Sequence, residues 1–454
     1  MRNLFRKFNP KGELFSSTFT YGLTAIVKLG SSLILTRLLN PEAYGVVAIL
    51  LSVAFMLELI SDVGTIGLLI RHPRGSEPRF IHTLWTIRLL RSALNFVLLY
   101  ALAPRISELY ETPLLADALR TFSFTFLLGG LQSMSFVIAQ RDQRSRILNY
   151  AELVTNIVMT AAVIALATML KDHYAFIYGM LLQRLLMTLA SFFYYREVGV
   201  AFALDREAVA DQFKFARVVL PSSLLTIVLS QYDKVILLKL FDLTLLGVYG
   251  LANSIIGPVG GLIVKNCRMV LYARCADYFR GDRAAAAARY YTENVRLMRL
   301  GTLLPAAVAG FSQTLVGILY DSRYAEAGTI LLVMGLATVL AGFEHPAENL
   351  LVAAGRTRVV LIANVIRVVV LPISTLLGYH FFGFYGFLWG TLAAPLAVTW
   401  YCFWEQERQG LLRRKAELTR LAEAAGVFVV CLLASRVWMH FVPPGLLQHA
   451  LKRH

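Results

Sequence analysis

Residues 36–48 read TRLLNPEAYGVVA, and a degraded copy of the stretch returns at 238–250 as LKLFDLTLLGVYG. Arg37 aligns with Lys239, Asn40 with Asp242 and Gly45 with Gly247, so the basic residue leads the glycine by the same spacing in both copies. An apolar run precedes each copy and another follows it. A duplicated corner between hydrophobic helices points to a transporter built from two related halves.

The surrounding composition agrees with that reading. The chain has 454 residues, 57% of them hydrophobic and only 16% charged, and a mean hydropathy of +0.62, values outside those of a soluble domain. The net charge of +16 does not indicate nucleic acid, because the basic residues form short clusters between apolar runs, where they orient a membrane protein. The four cysteines contain no C-x-x-C pair. Cys267 and Cys275 fall in what reads as a basic loop, Cys402 and Cys431 in apolar spans, and neither a disulfide framework nor a metal site is expected. Residues 1–13 are polar and the next apolar run is too long for a signal-peptide core, so no cleavable signal peptide is expected.

A helix needs about 20 apolar residues to cross the hydrocarbon layer. Runs of that length read as spans at 16–38, 44–70, 80–103, 114–139, 148–170 and 174–195, then 215–240, 245–264, 295–319, 327–352, 359–378 and 382–404, with a last at 422–442. The expected fold is therefore all-α and polytopic, with about thirteen transmembrane helices. An N-terminal six-helix lobe would occupy 1–210, a C-terminal one 211–405, and a basic linker with an extra helix 406–454. FVIAQRDQR around Arg141 resembles LVAAGRTR around Arg356, each closing the fourth helix of its half. An even helix number per half makes the repeats parallel, related by an axis along the membrane normal.

Basic clusters mark alternate loops: Arg2, Arg6, Lys7 and Lys11; Arg71, Arg74 and Arg79; Arg141, Arg144 and Arg146; Arg196, Arg206, Lys214 and Arg217. In the second half they are Arg268, Arg274, Arg280, Arg283 and Arg289, then Arg356 and Arg358, then Arg408, Arg413, Arg414, Lys415 and Arg420. These ends are expected in the cytoplasm, with the N-terminus. The intervening loops, such as RISELYETP at 105–113 and YHFFGFYG at 379–386, carry almost no Lys or Arg. Leu451–His454 would then lie outside despite Lys452 and Arg453. The longest connector, 265–294, reads either as a helix lying on anionic lipid or as a solvated link between halves. None of the first six spans contains proline, whereas Pro221, Pro258, Pro305, Pro346, Pro372 and Pro395 put one in each of the next six. They are either static kinks or soft points for gating.

A charge near the bilayer centre costs roughly 2.5–3.5 kcal/mol even on the lenient insertion scale, yet the spans keep Lys28, Arg88, Arg91, Arg184 and Arg367. They also keep Glu58 and Asp62, and Glu344 and Glu348 beside His345, each acid pair one helical turn apart. Such groups cannot face lipid. Either they lock helices, as Lys28 with Glu58 and Arg367 with Glu344, or they line a cavity. Because deep cations outnumber deep acids in the first half, a basic chamber suited to phosphate or pyrophosphate is the site expected, with Lys28, Arg88, Arg91, Arg184 and Arg367 binding substrate. Glu58, Asp62, Glu344 and Glu348 are the candidates for sensing a coupling proton or sodium ion, and His345 is either a packed histidine or a further coupling group. No G-x-x-x-x-G-K-S/T loop is present, so no ATP-driven step, cofactor or catalytic group is expected.

Four stretches, TRLLNPEAYGVVA, SDVGTIGLLIR at 61–71, QYDKVILLKLFDLTLLGVYGLA at 231–252 and NLLVAAGRTR at 349–358, together resemble the polysaccharide transporter (Wzx-type) flippases of the multidrug/oligosaccharidyl-lipid/polysaccharide (MOP) superfamily over about residues 15–405. The resemblance implies two six-helix lobes in a V around a central cavity. It further implies alternating-access transfer of undecaprenyl-pyrophosphate-linked oligosaccharide across the bacterial inner membrane, for O-antigen, capsule or exopolysaccharide, with membrane lipids and polysaccharide-assembly proteins as partners. The drug-exporting branch usually places acids in its cavity, so the excess of Lys and Arg favours the lipid-linked sugar branch. Family members commonly have twelve or fourteen helices, and thirteen departs from that. A proton- or sodium-coupled small-molecule exporter and a membrane glycosyltransferase or polymerase are the alternative readings.

Overall fold

The computed structural model describes residues 10–142, 144, 146–194, 199–280 and 283–441. Arg2, Arg6, Lys7, Arg196 and Leu451–His454, used above to orient the chain, lie outside the described residues, as do the last residues of the spans expected at 174–195 and 422–442. The regular elements among the described residues are all helical: α1 (Pro10–Leu38), α2 (Pro41–Ile60), α3 (Thr65–Arg71), α4 (Pro78–Leu109), α5 (Leu114–Leu131), α6 (Ser135–Arg141), α7 (Arg146–Leu170), α8 (Tyr174–Tyr194) and α9 (Arg206–Leu240). There follow α10 (Leu243–Asn266), α11 (Tyr272–Arg280), α12 (Arg283–Glu293), α13 (Val295–Gly310), α14 (Ser312–Leu319), α15 (Ala327–Ala353), α16 (Arg358–Gly390), α17 (Ala393–Arg408) and α18 (Arg414–Phe441). Contacts gather them into two compact units, one ending at Gly247 and the other beginning at Val248.

In the first unit α4 packs on α5, α7 on α1 and α8, and α9 on α2. Pro41 opens α2, where its missing N–H is no loss. The two copies of the opening motif meet here. A Cβ on Gly45 would lie 2.1 Å from the Leu243 carbonyl oxygen, and one on Gly247 would lie 2.0 Å from that of Pro41. Pro41 and Leu243 are themselves equivalent positions of the repeat, so the contact is reciprocal, and glycine in both copies lets two backbones touch.

In the second unit α15 packs against α13 and α17, α13 also against α18, and α16 against α17. Gly383, at φ 60°, turns the chain back inside the stretch assigned to α16. Gly378 and Gly386 then lie backbone to backbone, with a would-be Cβ of each about 2 Å from the other's carbonyl oxygen.

Every expected span is largely helical where described, although those at 44–70 and 114–139 break at 61–64 and 132–134, and thirteen is not reached by length and hydropathy alone. Nine described helices qualify, or ten if α13 and α14, bent by 62° at Phe311, count as one broken span. The span expected at 382–404 is divided by the break after Gly390, leaving the 16 residues of α17, about 24 Å of helix against a core of about 30 Å. α4 runs on to Leu109, so Pro104 lies within a first-half helix after all. The connector 265–294 differs most from expectation. A π-helical turn at Cys267–Leu271 leads into α11, and Cys267, Leu271, Cys275, Tyr278, Ala286 and Tyr290 are buried in the core of the second unit with Leu350, Leu351 and Val398. The pattern is one apolar helical face hidden among arginines. All four cysteines are free.

Two charged cavities as the candidate functional site

The cavity of the first unit encloses about 520 Å³ and is lined by Lys28 of α1, Glu58 of α2, Glu152 and Asn156 of α7, and Gln183 and Arg184 of α8, among apolar side chains that include Phe55, Phe122 and Met187. Helical spacing explains the convergence. Glu152, Asn156 and Met159 recur on one face of α7, as do Met180, Gln183, Arg184 and Met187 on α8.

The charges in this cavity are loosely held. Arg184 Nη2 lies 3.9 Å from Glu58 Oε1, and both side chains are about half exposed, at 49% and 48%. Lys28 was weighed above as a partner of Glu58, but Arg184 takes that place, and the Lys28 ammonium makes no ion pair or hydrogen bond with a described residue. Arg88 and Arg91 do not line the cavity. Arg88 Nη2 donates to the Gly129 carbonyl at 2.9 Å and to Gln132 Oε1 at 2.8 Å, tying α4 to the end of α5. Arg91 Nη1 reaches Asp62 Oδ1 at 3.5 Å, and the same Oδ1 accepts from the Gly64 N–H at 2.9 Å in the break after α2.

The cavity of the second unit encloses about 630 Å³, lined by Glu344, His345 and Glu348 of α15, Asn364 and Arg367 of α16, Arg268 within the π-turn and Tyr272 just after it. Here the cation is tightly held. The Arg367 guanidinium donates to Glu344 and lies 3.6 Å from Glu348 Oε2; Glu344 is 5% exposed and Arg367 21%. His345 Nδ1 is 3.9 Å from Glu348 Oε2. The ligating atoms of Glu344, His345 and Glu348 lie within 4.8 Å of one another, a donor set able to take a cation, and Arg367 already supplies positive charge there.

Of the five expected substrate-binding cations, the structure thus brings Lys28 and Arg184 to one cavity, commits Arg88 and Arg91 to helix-to-helix bonds, and places Arg367 in the other unit. Of the four expected ion-coupling acids, Glu58 lines the first cavity, Glu344 and Glu348 the second, and Asp62 pairs with Arg91. The reading from sequence passed over Glu152, Asn156 and Gln183, and took Arg268, which lines the second cavity, only for a residue that orients the chain. Glu152 was visible as a carboxylate one turn inside an otherwise apolar run.

Outside the apolar spans, Arg74 binds Glu77 at 2.8 Å, Asp205 at 2.8 Å and Glu207 at 3.0 Å, clasping the turn after α3 to the start of α9. Asp205 also caps α9, its Oδ1 accepting from the Glu207 and Ala208 N–H groups. The hydrogen bond from Arg74, ahead of these backbone bonds, holds the Asp205 carboxyl below the usual carboxylate range.

A family model described as "Polysaccharide biosynthesis protein" matches residues 34–328. No curated protein sequence matches the chain. Among solved structures, the lipid II flippase MurJ in an inward closed conformation superposes with a TM-score of 0.67 at 14% identity, over 94% of this chain and 99% of that one. An inward-facing multidrug resistance MATE family transporter of the MOP superfamily gives 0.59 at 13%, over 86% and 94%. The MATE multidrug transporter DinF-BH gives 0.56 at 16%, over 89% and 96%. At these identities the likeness is one of fold.

Proposed function

The chain belongs to the family of polysaccharide biosynthesis proteins, and from that premise we propose that it is a flippase carrying undecaprenyl-pyrophosphate-linked oligosaccharide repeat units across the bacterial inner membrane by alternating access. The observation that carries this reading is the first unit's cavity, where an ammonium and a half-exposed guanidinium, Lys28 and Arg184, stand beside the amides of Asn156 and Gln183. Two cations held this loosely suit a pyrophosphate, and carboxamides suit sugar hydroxyls. The fold shared with MurJ and MATE transporters supports a translocating rather than a catalytic role. We assign Arg88, Arg91 and Arg367 to positioning the helices around this path rather than to first contact with substrate.

Glu58, Asp62, Glu344 and Glu348 remain the candidate ion-coupling acids, since neutralising a carboxylate in a membrane-embedded unit changes which conformation costs least. The positive charge of Arg367 between Glu344 and Glu348 supports a latch that a proton or sodium ion would loosen. The N-terminus and the ends carrying Arg74, Arg144, Arg206, Arg283, Arg356 and Arg414 are assigned to the cytoplasm, and Glu111, Lys171 and Ser322 to the periplasm.

The test is a deletion strain. Undecaprenyl-linked oligosaccharide should accumulate on the cytoplasmic leaflet, and complementation should restore export with wild-type protein but not with K28E or R184E present at wild-type membrane abundance. Sensitivity to cationic drugs without a glycan defect would instead identify a small-molecule exporter.

A further inference from the structure

We infer that Glu152 couples anion binding in the first unit's cavity to the uptake of one proton; the inference rests on the reading that Lys28 and Arg184 receive the substrate's pyrophosphate. Lys28 and Arg184 place two positive charges on this cavity, and Glu58 and Glu152 two negative ones. The empty cavity is electrically balanced. A pyrophosphate diester arriving at the two cations brings about two further negative charges next to two fixed carboxylates, and like charges gathered in one cavity disfavour full ionisation.

One carboxylate must therefore give up its charge, and the geometry selects which. Glu58 has the Arg184 guanidinium 3.9 Å away to sustain its ionised form. Glu152 has no ion pair among the described residues, and the Thr155 hydroxyl and Asn156 amide donate to its backbone carbonyl rather than to its carboxylate. The charge acting on it is that of Lys28, which the entering phosphate would draw away. The lining residues from α5, Phe122, Thr125 and Phe126, offer no ionisable group, and those from α8 offer only Arg184. On α4, Arg88 feels Arg91, Arg184 and Glu58 while bonded to Gly129 and Gln132.

Once protonated, Glu152 changes from an acceptor into an O–H donor that can bond a phosphate oxygen. The proton comes from water on the loading side. Loss of that proton would restore the carboxylate and weaken the hold on the anion. Because the anion binds with a proton, affinity must fall as pH rises, by up to about tenfold per pH unit where the empty site is deprotonated.

The experiment uses the purified full chain in detergent and farnesyl-pyrophosphoryl-N-acetylglucosamine, a diester with no ionisation of its own near neutrality. Calorimetry in two buffers of different ionisation enthalpy counts the protons taken up at pH 7.5. About one proton per probe is expected for the wild type and none for E152Q, which should bind about tenfold more tightly at pH 8 and lose the pH slope. Equal proton counts in wild type and E152Q would overturn the assignment to Glu152. If E152Q does not accumulate, the wild-type count still decides, because binding without proton uptake refutes the coupling. No binding of the probe by the wild type would refute the pyrophosphate reading itself, and the inference with it.

Discussion

The two cavities contain the same kinds of side chain and hold them in opposite ways. In the first unit the Arg184–Glu58 contact is 3.9 Å long between half-exposed groups, and Lys28 stands apart. In the second, Arg367 is inserted between Glu344 and Glu348, with Glu344 all but sealed from solvent. A guanidinium held by two carboxylates has its charge and hydrogen bonds already satisfied, so offering it to a ligand means breaking what holds the helices. A loosely paired one can change partners at little cost. Residue type alone therefore does not separate a binding cation from a structural one; the separation lies in what surrounds it.

The largest effect should come from breaking the tight side of that contrast. R367Q leaves two buried carboxylates without their cation, a change that costs about 3–5 kcal/mol when one partner of a buried pair is removed. A steep fall in membrane abundance and in the detergent melting temperature is expected, with recovery in the triple variant E344Q/E348Q/R367Q. Wild-type stability of R367Q would show that the second cavity is as loosely held as the first.

Next come the loose cations. K28Q and R184Q should keep wild-type abundance and lose export, each by roughly 10- to 100-fold in probe affinity, the range of a hydrogen bond to a charged group. R184K should be the milder substitution if only charge matters and nearly as damaging as R184Q if the guanidinium fork is used. Full export by K28Q and R184Q would remove the first cavity from the transport path.

Much of this was legible beforehand. Length and hydropathy of the apolar runs mark the helices because hydrocarbon admits little else, and Arg367 with Glu344 was one of the two pairings weighed. What failed was local. Lys28 and Glu58 looked like partners, but partner choice depends on how α1, α2 and α8 pack, and no spacing within one helix reports that. Segment 265–294 read as a surface helix or a solvated link because its arginines dominate, although Cys267, Leu271, Cys275 and Tyr278 recur at the intervals of a buried helical face. The repeat of Gly45 in Gly247 was plain; that the two glycines press against each other's motif was not.

That glycine contact yields a smaller prediction, independent of charge. G45A or G247A would drive a methyl group to about 2 Å from a backbone carbonyl, and overpacking of this kind typically costs about 1–3 kcal/mol. Both variants should lower the melting temperature less than R367Q does while leaving probe affinity per folded molecule unchanged. A shift in affinity would connect the motif crossing to the first cavity.

The smallest effect should come from the clasp outside the apolar spans, which sets the same Arg–carboxylate chemistry at the edge of the aqueous surface, with the Arg74 side chain 28% exposed and Asp205 13%. D205N keeps a capping side chain for α9, since Asn and Asp cap about equally well, and removes only the charge that meets Arg74. Folding lowers the Asp205 pKa. Its contribution is therefore present above the unfolded carboxyl value of about 3.9 and is lost as pH falls through the lower folded value. Wild type should exceed D205N in melting temperature by a small, constant margin from pH 5 to 8, and the margin should close on acidification below about pH 4. Salt should shrink it as well, because charges that water reaches are screened. The R367Q deficit should resist salt, its charges being shielded by protein rather than by ions. If both deficits responded to salt alike, the distinction between a sealed and an open ion pair, on which the contrast of the two cavities rests, would fail.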